Sequence, residues 1–272
     1  MSSPVLTEYR ISADYPISEP IRIAHVSDLH ERRADDILDL LRQTAPDMIA
    51  VTGDTFERYD NRPQYDFEHR PIKRLIVSMI HYTNHMLTCF VPNEKKAHTK
   101  YARYFLHEAA RIAPVFLSFG NHEQKLREED YRFLIQEGIT LLDNCGTCVT
   151  VKGLRMNIGG MSSWEYEDFL ADFKAKEGFK LLLCHHPERF EPLIMDSDID
   201  LTLSGHTHGG QFRIGNHGRG FFVPGQGLFG RIAHGSFFGG RLIVSSGCSN
   251  TVVCPRVNNP RELVLVTLER GE

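Results

Sequence analysis

The sequence predicts an α/β protein whose sheets are covered by helices, and three observations carry that expectation. Short apolar runs rich in β-branched residues alternate with helix-period segments. Those runs end in small polar loops. After about residue 210 the chain turns glycine-rich, with short strands.

Taken in order, "IRIAHVS" (21–27) reads as a buried strand. A helix near 33–44 follows, with Ile37, Leu38, Leu40 and Leu41 on its apolar face. "DMIAVTGD" (47–54) is the next strand, and "PVFLSFGNHE" (114–123), "FKLLLCHHP" (179–187) and "DLTLSGHTH" (200–208) repeat the pattern. "REEDYRFLIQEG" (127–138) has the acidic first turn and closing glycine of a helix. Residues 144–160 alternate like a hairpin around "VKGLR", and "RLIVSSG" and "ELVLVTLE" supply late strands.

Residues 60–112 read as a helical insertion, with helix-period stretches near 71–88 and 98–112. Ile72, Leu75, Ile76, Met79, Ile80, Thr83 and Leu87 stripe the first; Ala102, Phe105, Leu106, Ala109 and Ile112 stripe the second. His81 and His85 are four apart, a metal-compatible spacing, but no third ligand accompanies them. The pair is read as a cap or lid beside the site, or as part of an interface. No repeat or linker divides the chain, so residues 1–272 are expected to form one domain including the insertion.

The formal charge of −4, with acids and bases mixed, offers no footprint for nucleic acid and no polybasic anchor. An anionic substrate would need local cations from another source. No apolar run approaches the ~18–20 residues of a membrane span. The opening residues lack the basic and apolar segments of a signal peptide. A cytoplasmic setting is expected, with a membrane surface left open as a partner and the oligomeric state unassigned. The cysteines form no disulfide framework, and "CGTC" (145–148) is one C-x2-C without a second pair, read as reduced thiols in a hairpin.

The chemistry lies at the strand ends. "SDLH" carries Asp28 and His30, "TGD" Asp54, "GNHE" Asn121 and His122, "CHHP" His185 and His186, and "GHTH" His206 and His208. Each alone has an ordinary reading: Asp28 as a helix cap, Asp54 and Asn121 as turn residues, a single histidine as a surface hydrogen-bonder. Five strand ends that all carry metal-capable groups are not explained by capping and turns. Ligands of open α/β sheets gather at carboxyl ends of strands, so the five loops are expected to share one crevice. Carboxylate and amide oxygens mixed with imidazoles suit Mn²⁺, Fe²⁺/Fe³⁺ or Zn²⁺, ahead of Mg²⁺. So many groups exceed the needs of one catalytic ion and suit two divalent cations about 3.5–4 Å apart sharing a carboxylate. Such cations would also attract the anion that the protein's own charge does not.

The series D-x-H, GD, GNH, H and GHxH resembles the calcineurin-like metallophosphoesterase superfamily, and "GHTHGGQ" is similar to a bacterial phosphodiesterase branch of it. The resemblance implies a four-layer α/β/β/α sandwich. It also implies a dinuclear phosphoesterase that cleaves a phosphodiester or pyrophosphate bond by attack of a metal-bridging hydroxide. It would place Asp28, His30, Asp54 and His208 on one ion and Asp54, Asn121, His185 and His206 on the other. His185 is preferred to His186 because the family reads H-x-P and Pro187 supplies the proline. His122 would protonate the leaving oxygen.

The family often places an Asp three residues after the bridging carboxylate; here Glu57 holds that position, one methylene longer, to orient His122. Arg58 is read either as a phosphate-gripping arginine, as in phosphoprotein phosphatases, or as a solvated loop residue. The expected substrate is a small or lipid-linked phosphoester. A phosphomonoesterase or protein phosphatase is the rival activity. A non-catalytic scaffold of the same fold is the rival class, although no expected ligand is missing.

Overall fold

The computed structural model describes residues 3–58, 99–213, 218–249 and 255–271. The first helix expected in the insertion, with His81 and His85, lies outside the described residues.

Sheet A runs in the order β1 (Val5–Ala13), β14 (Glu262–Arg270), β2 (Ile21–Val26), β3 (Met48–Thr52), β4 (Val115–Ser118), β5 (Thr140–Leu142). Sheet B runs β12 (Gly235–Phe237), β13 (Leu242–Val244), β9 (Leu201–Ser204), β8 (Phe179–Cys184), β7 (Leu154–Met161), β6 (Cys145–Val151). Alternation along each strand assigns its two faces. In β2, Ile21 and Ile23 join Met48, Phe116, Leu181, Leu203 and Val266 in the core between the sheets. Ala24 and Val26 point the other way, into a second core. There they meet Ile37, Leu38 and Leu41 of α1 (Asp35–Thr44), Ala102, Phe105 and Leu106 of α2 (Lys100–Ala110), and Leu134 of α3 (Glu128–Gln136). Leu182 and Cys184 of β8 face Leu170 and Phe173 of α4 (Glu167–Lys174) on the far side of sheet B.

The layers are therefore helix, sheet, sheet, helix. Both faces of each central strand are covered, which is why these strands read as continuous apolar runs rather than alternating ones. The second helix of the insertion is present as α2. β1, in contrast, was not foreseen. It is the edge strand of sheet A, paired parallel to β14 and alternately exposed, so it shows no apolar run. Among the described residues, no helix is long and apolar enough to cross a membrane.

Arg58 has neither of its expected roles. It is buried, 6% exposed, and its guanidinium Nε lies 3.0 Å from Asp130 Oδ2, with Nη2 3.2 Å from Glu129 Oε1. Asp130 also accepts from Arg103 Nη2 at 2.9 Å and from the Arg127 backbone N–H at 3.0 Å at the start of α3. Arg58 thus ties the loop after β3 to α3 as an interior ion pair. Burial alone would raise the Asp130 pKa, but hydrogen bonds from Arg103, Arg58 and the Arg127 N–H hold it below the usual carboxylate value.

A depressed folded-state pKa contributes stability above the unfolded pKa, and that contribution is lost as pH falls through the folded value. Asp130→Asn is therefore expected to cost about 3 kcal/mol near neutral pH, because it removes the buried carboxylate from this ion pair. The gap to wild type should close in acid. Urea melts across pH check both statements; a gap independent of pH would refute the ion-pair account.

Candidate metal centre

The five loops do meet. Asp28 and His30 follow β2, Asp54 follows β3, Asn121 and His122 follow β4, His185 follows β8, and His206 and His208 follow β9. Backbone bonds lock the first two loops together: Asp28 N–H donates to Gly53 C=O at 3.2 Å and His30 N–H to Asp54 C=O at 2.8 Å. Close approach explains the motif glycines. A Cβ at Gly53 would collide with the Gly120 backbone, one at Gly120 with Asp54, and one at Gly205 with Ser27 and Asp28. The left-handed backbone falls on the functional residues themselves, with φ of 56° at Asp28, 50° at His30, 52° at Asp54, 68° at His206 and 48° at His208. Non-glycine residues pay for that conformation, and such strain gathers at functional sites.

Asp54 Oδ2 is the hub. His185 Nε2 lies 3.2 Å from it, His30 Nε2 3.6 Å and His122 Nε2 3.7 Å. On the other side, Asp28 Oδ1 is 3.6 Å from His30 Nε2 and 3.5 Å from His208 Nε2. Four ligand-capable groups overlap here among the described residues: Asp28, His30 and His208; Asp54, His185 and His206; His30, Asp54 and His122; and His186, Glu188 and His206.

The protonation pattern follows from the outer partners. His185 Nδ1 lies 2.6 Å from the Thr52 carbonyl oxygen, which can only accept, so that nitrogen carries the proton. His30 Nδ1 and His122 Nδ1 donate likewise to the two oxygens of Glu57, at 2.8 and 2.9 Å. In the neutral rings each Nε2 is then a lone pair aimed at carboxylate oxygens. Nε2 of His30 and of His185 is buried without a hydrogen-bond partner, as is Asn121 Oδ1. Acceptors facing acceptors in a buried site require positive charge between them, and a divalent cation fits such a donor set.

Electrostatics agree. Burial is the largest influence on every member and opposes charge. Nevertheless His30 is pushed up to about 10 by Asp28, Glu57 and Asp54, and His185 to about 9 by Asp54 and Asp28. The imidazoles of His208, His122, His185 and His30 hold the carboxyls of Asp28, Asp54 and Glu57 well below the ordinary range, against burial. Burial pulls His208 down to about 3 and His206 well below its usual value, so both are neutral and able to coordinate. His122 is raised by Asp54 and Glu57, against burial.

Supporting residues that sequence reasoning passed over include Glu123. Its carboxylate accepts from the backbone N–H groups of Asp54, Thr55, Phe56 and Gly120, at 2.6–2.9 Å, and so clamps two ligand loops together. It stands in the quoted "GNHE", and nothing but tertiary contact marks its role. Asn259 Nδ2 donates to the His208 carbonyl at 2.7 Å and Ser249 Oγ to the Asp28 carbonyl at 2.8 Å, both from the far end of the chain. His186, the other half of the histidine pair, has its Nε2 2.8 Å from Ser163 Oγ and its Nδ1 3.2 Å from Glu188 Oε1, and it shares a ligand-capable group with Glu188 and His206.

Comparison with known proteins places the chain in context. A sequence model of the family described as Calcineurin-like phosphoesterase matches residues 21–210. The Bacillus subtilis (strain 168) protein YpbG is 27% identical over 93% of this chain and 85% of its own length. The metallophosphoesterase YkoQ of the same organism is 27% identical over 72% of this chain and 64% of its own. The phosphodiesterase YaeI of Escherichia coli (strain K12) is 31% identical over 46% of this chain and 50% of its own.

Proposed function

The chain belongs to the calcineurin-like phosphoesterase family and is a metal-dependent phosphohydrolase, and from that premise we propose that it cleaves a phosphodiester or pyrophosphate bond at a centre of two divalent cations. Asp28, His30 and His208 would hold one ion and Asn121, His185 and His206 the other, with Asp54 shared. The observation that carries this reading is Asp54 Oδ2, which several imidazole nitrogens approach from more than one side. With nitrogen and oxygen donors and no thiolate among them, Mn²⁺, Fe²⁺/Fe³⁺ and Zn²⁺ suit the site better than Mg²⁺. When bound, such ions polarise phosphoryl oxygens and make a water nucleophilic near neutral pH.

The remaining work falls to the chain's own side chains. His122 has 22% of its side chain exposed, against 2% for His30 and none for His185, so it is open to a substrate while those two are sealed in. With Nδ1–H anchored on Glu57, its Nε2 holds the proton that a departing oxygen needs. Glu57 fixes His30 and His122 at once, so it sets the angle of both rings. Glu57→Gln is expected to lower turnover about 10–100-fold while the protein stays folded. Steady-state kinetics beside a thermal melt check this, and full activity would remove Glu57 from the site.

The protein-phosphatase reading rests on Glu57, Arg58 and "GNHE" together, and of these the Arg58 guanidinium is engaged by Asp130 and Glu129. The direct test is hydrolysis of bis(p-nitrophenyl) phosphate and p-nitrophenyl phosphate after metal stripping and reconstitution with each metal. Diester cleavage should exceed monoester cleavage; the reverse order would overturn the assignment.

A further inference from the structure

The net charge of the whole chain conceals a segregated stretch. Between Leu201 and Arg261 there is no aspartate or glutamate, while Arg213, Arg219, Arg231, Arg241, Arg256 and Arg261 all fall there. Within it, "RGFFVPGQGLFGR" (219–231) opens with Arg-Gly-Phe and closes with Phe-Gly-Arg. The structure turns this segment into a hairpin: β10 (Phe222–Val223) pairs antiparallel with β11 (Gly227–Leu228), Phe222 opposite Leu228. Phe229 N–H donates to Phe221 C=O at 2.8 Å and Gly220 N–H to Gly230 C=O at 3.2 Å, so the same register sets Arg219 opposite Arg231.

Among the described residues, nothing covers one face of this ribbon. Phe221 is 39% exposed and Phe229 58%, their rings edge-to-face at 5.5 Å, and Phe212 extends the row at 5.9 Å from Phe221. Val257, also exposed, bridges to Phe212. Arg219 and Arg231 are exposed, and neither guanidinium has a hydrogen bond or ion pair among the described residues. The base of the hairpin packs Gly220 against Gly210, two residues beyond His208, and its tip brings Gly225 against Glu188, the partner of His186. The ribbon therefore stands on the rim of the metal centre.

We propose that this hairpin docks the protein on an anionic lipid bilayer. The chemistry of the face selects that occupant. A row of phenylalanines with arginines paired on either strand matches a headgroup boundary, where rings enter the acyl region and guanidiniums stay at phosphate depth. The segment itself carries no carboxylate to repel a negative surface, and Glu188 against its tip is a carboxylate found beside it. Docking itself is independent of the phosphoesterase reading. The corollary, that the substrate is taken at the lipid surface, rests on it.

The test is co-sedimentation of the full chain with phosphatidylcholine vesicles and with vesicles in which phosphatidylglycerol replaces part of the phosphatidylcholine. Wild type should partition onto the phosphatidylglycerol vesicles and not onto phosphatidylcholine alone, with binding weakened by salt. Arg219→Gln and Arg231→Gln should each weaken partitioning about fivefold. Phe221→Ser with Phe229→Ser should weaken it by roughly tenfold or more. All variants should keep wild-type turnover of soluble bis(p-nitrophenyl) phosphate, because none touches the metal centre. Equal binding to both vesicle types, or variants that bind like wild type, would overturn the proposal. So would a lipid-free dimer that the Phe variants dissolve, or binding of single-stranded RNA in place of vesicles. Wild type inactive on every phosphoester would instead defeat the catalytic reading and leave the vesicle result standing.

Discussion

Asp54→Asn is expected to yield a folded protein that has lost most of its bound metal and all measurable hydrolysis. The neutral amide keeps the size of the side chain but removes the charge on which His30, His122 and His185 converge at 3.2–3.7 Å. A shared carboxylate is the one ligand whose loss weakens both ions together, since each then faces a more positive neighbour with less compensation. Elemental analysis after dialysis, beside a thermal melt, reads the result. Retention of two equivalents of metal would show that Asp54 is not shared. The same substitution also unburies an argument about stability. Asp54 holds the His122 backbone N–H at 2.9 Å through Oδ1, a bond that an amide oxygen can keep, so the fold should survive.

His122→Ala is expected to leave metal content unchanged and to lower turnover about 10²–10⁴-fold, the usual share of one general acid. The loss should be smaller for substrates whose leaving group needs no proton, such as p-nitrophenolate, than for an alkyl ester. The pH profile gives a second reading with a definite sign. Asp54 and Glu57 raise the His122 pKa above its ordinary value, so its acid form is lost, and activity falls, at a higher pH than for a free imidazole. Glu57→Gln removes one of the charges that raise it and should move this limb to lower pH. An unchanged limb would separate His122 from the proton transfer.

Much of this candidate centre was legible in one dimension because the groups it gathers obey a simple rule. Each sits one to four residues beyond the end of a buried strand, and the apolar runs that announce those strands are unmistakable where both faces are covered. Of the two adjacent histidines, His185 Nε2 approaches Asp54, while His186 meets Ser163 and Glu188 and shares a ligand-capable group with His206. The edge strand β1 was invisible for the complementary reason: half-exposed and mixed in polarity, it gains its identity only from β14, at the opposite end of the chain.

Residue types and their spacing along the chain therefore determined the metal-binding character of the chemistry, the strands that deliver it and the α/β class, since these follow from local periodicity and from which side chains can bind a cation; the four-layer arrangement was implied only by the family resemblance. Folding decided the partners. Arg58 became an interior counterion of Asp130, Glu123 became a clamp for two loops, and an unremarkable glycine-rich segment became an exposed aromatic and basic rim. The physical reason is that a charge or hydrogen bond acts over a few ångströms in space, while the residues concerned lie from 8 to more than 60 positions apart in the chain.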